Sequence, residues 1–266
     1  MPLTNKNEKY FFFGNDKAKG QISGYRHYHD TFEIYYLESG HCRYFIDSKC
    51  YDVDAGDIVL IPEGVIHHTT YRDEYHSRKL INCSNSYIPS SVADRMPSML
   101  YLYRNTSIST DIKQIFQNIE EEYYLSDAYS KEAVAAHVRL LFYLLARNEN
   151  QYPSASTVSE YVSSALEMLL RDFTENITLS GVAERISISP EHLSRIFKKE
   201  TGFGFSEYLT ILRLKKAEEM LKSDTRTSIA EVAYACGFND SNYFSERFKA
   251  NYGSSPKDYK KELFKA

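Results

Sequence analysis

Residues 193–209 read LSRIFKKETGFGFSEYL, and a related pattern, FSERFKANYGSSPKDY, returns at residues 244–259. In both segments apolar residues recur at helical spacing, and a glycine follows where a helix would end in the left-handed conformation. The aligned pairs, all fifty-one positions apart, are Leu193 and Phe244, Ser194 and Ser245, Phe197 and Phe248, Lys198 and Lys249, Gly202 and Gly253, and Tyr208 and Tyr259. This half of the chain therefore contains an internal duplication.

The duplication continues toward the N-terminus of each copy at an offset of fifty. The aligned pairs there are Leu179 and Ile229, Val182 and Val232, Ala183 and Ala233, and Ile188 and Phe238. Each copy predicts a short helix, a tight turn at Ser187 or Gly237, and a second helix of about ten residues, which is the layout of a helix-turn-helix motif. The alanine lets two helix backbones approach, and glycine tolerates a positive φ in the turn.

Helix boundaries in this half follow from apolar spacing and from capping signals. Ser189 followed by Pro190 predicts an N-cap and a first-turn proline, and Ser228 with Glu231 matches a capping box. We predict helices over residues 158–174, 179–186, 190–200, 206–222, 228–235 and 240–251, with a short helix near the C-terminus. The helix over 206–222 would be about 25 Å long, so it can hold the two second helices roughly 34 Å apart, one turn of a DNA duplex.

Residues 177–260 resemble the DNA-binding domain of AraC/XylS-type bacterial transcription regulators. Besides residues 193–209, the resemblance rests on RLKKAEEML (213–221), SIAEVAYACGF (228–238) and YFSERFKANYGSSPKDY (243–259). In that family the second helix of each motif enters the major groove, which implies that promoter double-stranded DNA is a partner. By position, the resemblance implies DNA contacts from Glu191, His192, Ser194, Arg195, Lys198 and Lys199 in the first motif, and from Ser241, Asn242, Tyr243, Glu246 and Lys249 in the second.

Three of these residues suggest specific contacts. Arg195 has the donors to read guanine bidentately, and Asn242 has the donor and acceptor to read adenine. Glu246 stands where family members often have a basic or amide residue. Because its carboxylate repels phosphate and can accept only from cytosine N4, we expect the second motif to contribute less affinity or a different base preference. The alternative for Arg195, Lys198 and Lys199, a merely solvated helix face, is disfavoured by the length of the resemblance.

The first part of the chain has a different pattern. Short β-branched and aromatic runs between about residues 25 and 84, separated by Gly, Asp, Asn and Pro, predict an antiparallel β unit. Apolar residues then recur at three- and four-residue steps over residues 109–147, which predicts two helices. Residues 149–157 are polar, contain a proline and lack periodicity, so we interpret them as a linker between a domain of residues 1–148 and a domain of residues 158–266.

Residues 27–40, HYHDTFEIYYLESG, and residues 56–67, GDIVLIPEGVIH, resemble the two signature motifs of the cupin barrel. In cupins the first motif supplies two histidines and a glutamate to one metal ion, and the second supplies a further histidine. The resemblance implies a candidate site for a divalent transition metal, with ligands that suit Zn, Ni, Mn or Fe(II). The candidate ligands are His27, His29, Glu33 and His67, while Tyr71 stands where many cupins have Asn.

The same pattern has a second interpretation. Sensor domains of AraC-type regulators commonly use the barrel as a pocket for a small effector, frequently a sugar, without a metal. In that case the effector pocket would be lined by His27, His29, Glu33, His67 and Tyr36. The chain has 23 Tyr and no Trp, and tyrosine rings suit the binding of a sugar as well as they suit a barrel core. Surface or purely structural histidines are the third interpretation.

Composition argues against several classes of protein. The net charge of −4 argues against a general polyanion binder, no stretch approaches about 18 consecutive apolar residues, and the N-terminus lacks the features of a secretory signal. The four cysteines form no CxxC pair, so neither a disulfide framework nor a zinc finger is indicated. We expect a cytoplasmic bacterial protein with no membrane partner.

The sequence predicts an α+β protein: an N-terminal cupin-like β-barrel followed by helices, and a C-terminal all-α domain with two helix-turn-helix motifs. Its expected function is sequence-specific transcription regulation without catalysis, in response to a small molecule, with a sugar as a candidate. The helices over 109–147 either mediate a homodimer, as in the resembled family, or only pack on the barrel, and RNA polymerase is a further candidate partner. The alternatives are a metal-dependent cupin enzyme fused to a DNA-binding domain, and a DNA-binding protein whose barrel only dimerises.

Overall fold

The computed structural model describes residues 11–19, 31–73, 75–95, 101–104, 109–148, 156–223 and 226–264. The chain forms two compact units, Met1–Ser156 and Thr157–Ala266. Of the predicted linker, residues 149–155 lie outside the described residues, and Ser156–Thr157 form a two-residue strand. Each unit contains hydrophobic core clusters of its own residues.

The described part of the N-terminal unit is rich in strands. They are β1 (Phe11–Lys19), β2 (Phe32–Ser39), β3 (His41–Ile46), β4 (Lys49–Asp54), β5 (Ile58–Ile61), β6 (His67–Tyr71), β7 (Tyr75–Cys83) and β8 (Leu102–Tyr103). One sheet has the order β1-β7-β2-β5-β8, and in the other sheet β3 lies between β6 and β4. The paired strands run antiparallel, which confirms the predicted β unit.

Side chains alternate between the two faces of β2, and this alternation separates two cores. Tyr35 and Leu37 belong to the core formed by residues of both sheets. Ile34 and Tyr36, on the other face, belong to a core that the first sheet shares with helices of the same unit. Because both faces are covered, the first six residues of β2 are all buried.

Helices cover the outer face of the first sheet. They are α1 (Ser90–Ala93), α2 (Ser109–Leu125) and α3 (Ser130–Arg147), and the last two confirm the predicted pair over 109–147. The apolar stripe of α2 includes Phe116 and that of α3 includes Phe142, and both residues lie in the core with β2. Between these helices, the carboxylate of Asp127 accepts hydrogen bonds from the backbone N–H groups of Tyr129 and Ser130, so the second helix has a defined start.

The C-terminal unit is built from helices. They are α4 (Glu160–Asp172), α5 (Leu179–Arg185), α6 (Pro190–Thr201), α7 (Phe205–Ser223), α8 (Ile229–Ala235), α9 (Ser241–Tyr252) and α10 (Pro256–Leu263). The predicted helices are confirmed, and their ends differ from the prediction by one or two residues. The first helix-turn-helix motif consists of α5 and α6, and the second consists of α8 and α9.

The two motifs repeat the same backbone geometry. The turn between their helices contains a residue with positive φ at equivalent positions, 59° at Ser187 and 85° at Gly237. Both second helices end at a left-handed glycine, Gly202 with φ of 82° and Gly253 with φ of 78°. The Ser189 side chain caps α6, as its position before Pro190 predicts, and the predicted capping box at the start of α8 is present.

Helix α7 supports one motif on each of its halves. Near its N-terminus, Phe205 and Tyr208 contact the ring of Phe197 in α6, with centroid distances of 5.7 and 5.9 Å. In its C-terminal half, apolar residues such as Leu214 and Leu221 join a core with residues of α8 and α9. The middle of α7 is therefore the region where the two motifs approach each other.

All four cysteines are reduced and buried, three in the N-terminal unit and one in the C-terminal unit. They are Cys42, Cys50, Cys83 and Cys236. Burial raises the pKa of Cys42 and that of Cys83 to about 12, and it raises the pKa of Cys236 to about 11. These three thiols therefore carry very little thiolate at neutral pH.

Candidate DNA interface and effector site

Helix α6 presents a polar face to solvent. Leu193 and Phe197 are buried beneath it and fix its orientation. The predicted contact residues on the other side are exposed, except for the partly buried His192; the exposed ones are Glu191, Ser194, Arg195, Lys198 and Lys199. Together with Leu179 and Pro190, these exposed residues line an open groove of about 680 Å³. Three cations on one face of a capped helix suit contact with a phosphate backbone and base edges.

His192 and Arg195 lie together on this face. The Nη2 group of Arg195 is 3.1 Å from Nδ1 of His192. Since guanidinium can only donate, His192 accepts through Nδ1. The Tyr161 ring, on α4, is nearly perpendicular to the His192 ring, at a centroid distance of 6.4 Å. The Arg195 side chain is thus partly oriented before DNA arrives.

Asp240 caps the N-terminus of helix α9, and its carboxylate accepts from the backbone N–H groups of Asn242 and Tyr243 at 2.7 Å each. This cap holds the first turn, where base-contacting residues are expected. The predicted contact residues of this helix are exposed, except for the partly buried Ser241; the exposed ones are Asn242, Tyr243, Glu246 and Lys249.

Arg247 is an exposed cation of α9 that the sequence comparison between the two copies did not single out. Its guanidinium carbon lies 5.1 Å from the centroid of the Tyr243 ring, one helical turn away. The aligned residue in the first copy is Ile196, so the duplication gave no signal for this position. The signal that could have found it is the spacing of an aromatic and an arginine four residues apart on one helix face.

A buried carboxylate anchors α9 and α10 on α7. Glu218 accepts hydrogen bonds from the hydroxyls of Tyr252 at 2.9 Å and Tyr259 at 2.7 Å, and Lys222 Nζ lies 2.7 Å from its Oε1 atom. Burial raises the pKa of Tyr252 well above its usual range, so this hydroxyl stays a donor at physiological pH. The network fixes the scaffold on which the second motif stands.

In the N-terminal unit, two predicted ligands come together inside the barrel. Glu33 on β2 and His67 on β6 are both buried, and Glu33 Oε2 lies 3.8 Å from His67 Nε2. His67 Nδ1 is 2.8 Å from the carbonyl oxygen of Val65. Because a carbonyl only accepts, Nδ1 carries the proton, and Nε2 is the atom that faces the carboxylate.

A group of hydroxyls and a cation lies further along the same interior. Tyr35 donates its hydroxyl hydrogen to the Tyr71 hydroxyl at 3.3 Å, and Arg78 Nη1 donates to the same oxygen at 2.6 Å. The Arg78 guanidinium also lies within 6 Å of both rings, at 5.9 and 5.6 Å. Burial raises the pKa of Tyr71 to about 12, so this hydroxyl stays protonated and suits hydrogen bonding to a polar ligand.

The predicted position of Tyr36 is wrong. The sequence predicted that this residue lines the effector pocket, but its ring stacks on Phe116 of α2 with centroids 5.1 Å apart, in the core between the sheet and the helices. Tyr35, its neighbour, faces the interior instead. The reason is the two-residue period of a strand, which sends neighbouring side chains to opposite faces.

Two of the four candidate metal ligands, His27 and His29, lie outside the described residues. Within the residues that the structure describes, no group of three or more His, Cys, Asp and Glu side chains is arranged to hold a metal ion. The other two candidate ligands, Glu33 and His67, supply a carboxylate oxygen and an imidazole nitrogen that face each other. The carboxylate oxygen and the imidazole nitrogen could coordinate a metal ion or accept hydrogen bonds from a polar organic ligand.

Comparison with known proteins identifies both units. Residues 20–146 match the family model described as the AraC-like ligand binding domain, and residues 182–262 match a helix-turn-helix domain model. The chain is 27% identical over 245 residues to the HTH-type transcriptional activator RhaS of Escherichia coli strain SE11, which covers 87% of this chain and 86% of RhaS.

Solved structures are also similar. The C-terminal domain of AraT, a response regulator from Geobacillus stearothermophilus, is 38% identical with a TM-score of 0.38, and the match covers 40% of this chain and 88% of that domain. ToxT from Vibrio cholerae O395 is 18% identical with a TM-score of 0.41, and the match covers 97% of this chain and 100% of ToxT.

RhaS is a transcriptional activator, and the C-terminal match is to a helix-turn-helix domain, which favours regulation over the alternative of a metal-dependent cupin enzyme. None of the helices in the described part of the chain combines the length and apolar character that a membrane crossing requires. The chain belongs to the AraC family: it is a DNA-binding transcription regulator that carries a ligand-binding domain for a small-molecule effector before its helix-turn-helix domain.

Proposed function

We propose that α6 and α9 enter two successive major-groove segments on one face of promoter DNA. The observation that carries this proposal is the pair of capped second helices, each with its polar face exposed and its apolar face buried on α7. In this arrangement Arg195 reads guanine and Asn242 reads adenine through paired hydrogen bonds. The remaining proposed contacts, to bases or phosphates, come from Glu191, His192, Ser194, Lys198, Lys199, Ser241, Tyr243, Glu246 and Lys249.

The two motifs contribute unequally in this proposal. The exposed face of α6 carries three cations, Arg195, Lys198 and Lys199. The exposed face of α9 carries two, Arg247 and Lys249, and it has Glu246 at the position aligned with Arg195. A carboxylate near phosphate opposes binding, so most of the electrostatic affinity comes from the first motif. Discrimination at the second segment then depends on Asn242 and on cytosine recognition by Glu246.

The effector binds inside the barrel in the same proposal. Glu33 and His67 are buried acceptors that face each other inside the barrel, and Tyr71 and Arg78 add donors along the same interior. A molecule with several hydroxyl groups can donate to the first pair and accept from the second, which supports a carbohydrate. His27 and His29 stay predicted members of this pocket. A divalent metal held by His27, His29, Glu33 and His67 is the second candidate.

The regulator acts as a homodimer in this proposal. Helix α3 exposes Leu140 and Tyr143, which are 44% and 39% accessible and lie three residues apart on its outer face. Effector binding in the domain of residues 1–148 would bias how two DNA-binding domains of residues 158–266 are arranged, and so which half-sites are occupied together. The proposal implies a cytoplasmic protein, with RNA polymerase as a further partner.

Selection of binding sites from random DNA tests this function directly. The full chain is incubated with a pool of random duplexes at fixed salt, with and without a panel of monosaccharides, and the retained duplexes are sequenced. We expect enrichment of a site with two short segments about one helical turn apart, and a change in the site or its affinity with one sugar. The absence of any enriched sequence would contradict the proposed DNA reading, and an identical outcome with every sugar would contradict the carbohydrate.

A further inference from the structure

Arg213 lies at the middle of α7, where the two motifs approach each other. Its side chain is half-buried, and it makes two hydrogen bonds to the segment between α4 and α5. The Nε group donates to the carbonyl oxygen of Phe173 at 2.7 Å, and Nη2 donates to the carbonyl oxygen of Glu175 at 2.8 Å. Arg213 therefore holds the chain that leads into the first motif.

The same guanidinium also contacts the second motif. Its carbon lies 5.8 Å from the centroid of the Phe238 ring, and Phe238 follows the left-handed Gly237 in the turn between α8 and α9. The Phe238 ring in turn packs on Phe244 at 5.1 Å and on Tyr243 at 6.3 Å, both in the first turn of α9. The contact therefore reaches the helix that reads the second DNA segment.

The backbones on the two sides of Arg213 are also in direct contact. A Cβ atom at Gly237 would lie 2.5 Å from the carbonyl oxygen of Thr174 and 3.0 Å from Arg213 Nε. The loop before the first motif and the turn of the second motif therefore meet without room for a side chain. This geometry defines a junction, formed by residues 173–175, Arg213 and residues 237–238.

We infer that Arg213 is a positioning residue that fixes the spacing and the relative rotation of the two DNA-reading helices, and so selects the number of base pairs between the two segments of the operator. The reason is that each motif otherwise packs on its own half of α7, so the junction is a direct link between them. The inference rests on the proposed reading of DNA by both motifs, because a spacing preference exists only when both helices are engaged.

The test measures how strongly DNA binding depends on the number of base pairs between the two segments of the site. The site enriched by the wild-type chain is prepared in three forms: unchanged, and with one base pair added or removed between its two segments. One base pair moves a segment by about 3.4 Å along the duplex and rotates it by about 35°. The affinity of the full chain for each form is measured at one salt concentration, and the ratio between the unchanged and altered sites is the readout.

We expect the wild-type chain to lose roughly tenfold or more in affinity on the altered sites, and the Arg213→Met chain to lose no more than about threefold. The control is Arg171→Met, which makes the same chemical change at an exposed arginine whose guanidinium bonds the neighbouring Asp172; this variant should keep the wild-type ratio. Arg213→Gln and Arg213→Lys also remove the forked donor but keep a polar end group on the side chain, and they serve if the Met variant does not fold.

The outcomes separate the two levels of inference. If the wild-type chain selects no two-segment site, the proposed DNA reading fails. If it selects one, and any folded Arg213 variant keeps the wild-type ratio while binding more weakly, then Arg213 contributes only stability and the inference is overturned. A reduced ratio in folded variants, with circular dichroism like that of the wild type, supports the junction as the device that sets spacing.

Discussion

Arg195 and Lys198 lie close together on α6, yet their side chains suit different parts of DNA. Arg195 ends in a planar fork that matches the guanine edge, and the hydrogen bond to His192 limits its motion before binding. Lys198 ends in a compact charge on a flexible chain, which suits a phosphate that every sequence offers. The proposed DNA reading therefore divides specificity and general affinity between two nearby residues of the same helix.

Replacement of these two residues should have different effects on DNA binding. Arg195→Ala should cost about 1 to 3 kcal/mol on the selected site and relax selectivity at one base position, because one paired contact is lost. Lys198→Ala should weaken binding to selected and random duplexes alike and flatten the dependence of affinity on salt. Titrations of both duplexes across a salt series check this. Equal losses on both duplexes for both variants would contradict the assignment.

The Glu218 network should govern the stability of the second motif. Glu218→Ala should lower the free energy of unfolding by about 2 to 4 kcal/mol, because it leaves the hydroxyls of Tyr252 and Tyr259 without this acceptor. The control is Glu219→Ala, next in sequence, because Glu219 is exposed and pairs only loosely with Lys216 at 3.5 Å; it should cost less than about 0.5 kcal/mol. Urea unfolding of the full chain, followed by circular dichroism, measures both. Similar losses for the two variants would mean that Glu218 is not an anchor.

Among single residues, those with local signals could be predicted. Ser189 and Gly202 were identified as caps because capping depends on the residue and its close neighbours in sequence. Arg213 was not identified as a link, because its partners Phe173 and Glu175 lie 40 and 38 residues away in the chain. No local pattern signals such a contact.

At the scale of elements, the two glycines with positive φ in the second motif separate two physical effects. Gly237 and Gly253 have φ of 85° and 78°, so an alanine at either position is strained. A Cβ atom at Gly253 would have no neighbour within 4 Å, whereas a Cβ atom at Gly237 would lie 2.5 Å from the Thr174 carbonyl oxygen. The difference between the two variants therefore measures the steric effect alone.

Gly253→Ala should cost about 1 to 2 kcal/mol of stability, which is the strain of the left-handed conformation. Gly237→Ala should cost that amount and roughly 1 to 3 kcal/mol more, because the added carbon forces the two backbones of the junction apart. Chemical unfolding of both variants under the same conditions gives the two values. If Gly237→Ala is no more destabilising than Gly253→Ala, then the two backbones are not in close contact in solution.

The helices of the chain were predictable to within one or two residues, whereas the orientation of strand residues was not. Helical spacing and caps are read from one segment at a time, so α6 and α9 were placed correctly. Whether Tyr35 or Tyr36 faces the interior depends on which side of the sheet α2 and α3 cover, since β2 is buried on both faces. That choice is set by tertiary packing and leaves no alternation in the sequence.

For the whole molecule, the effector response should depend on the barrel, and DNA recognition on the C-terminal unit. Glu33→Gln and His67→Ala should abolish the effect of an effector on DNA binding by the full chain, while the affinity for the selected site without effector changes by less than about 0.5 kcal/mol. Binding titrations with and without effector test this. A loss of DNA binding in both variants, with the fold intact, would contradict the separation of roles.

Experiments on metal binding decide whether the pocket that contains Glu33 and His67 holds a metal ion. If a metal is bound, a chelator should lower the melting temperature of the wild-type chain, since a ligand that binds only the folded state stabilises it by mass action. The Glu33→Gln chain, already weakened in metal binding, should respond less. About one transition-metal ion per chain by elemental analysis of protein without a histidine tag supports coordination, and less than about a tenth after reconstitution contradicts it.

Because all four cysteines are buried, the rate at which each is chemically modified would measure local unfolding around it. Exposed thiolates attack alkylating reagents, so a buried thiol with a raised pKa is modified only when the structure around it opens. Cys42, Cys50 and Cys83 report on the N-terminal unit and Cys236 on the C-terminal unit. A short pulse of reagent followed by mass spectrometry of peptides would therefore show which unit opens first under heat or denaturant. An effector that binds the barrel would slow modification of the first three cysteines and leave the rate at Cys236 unchanged.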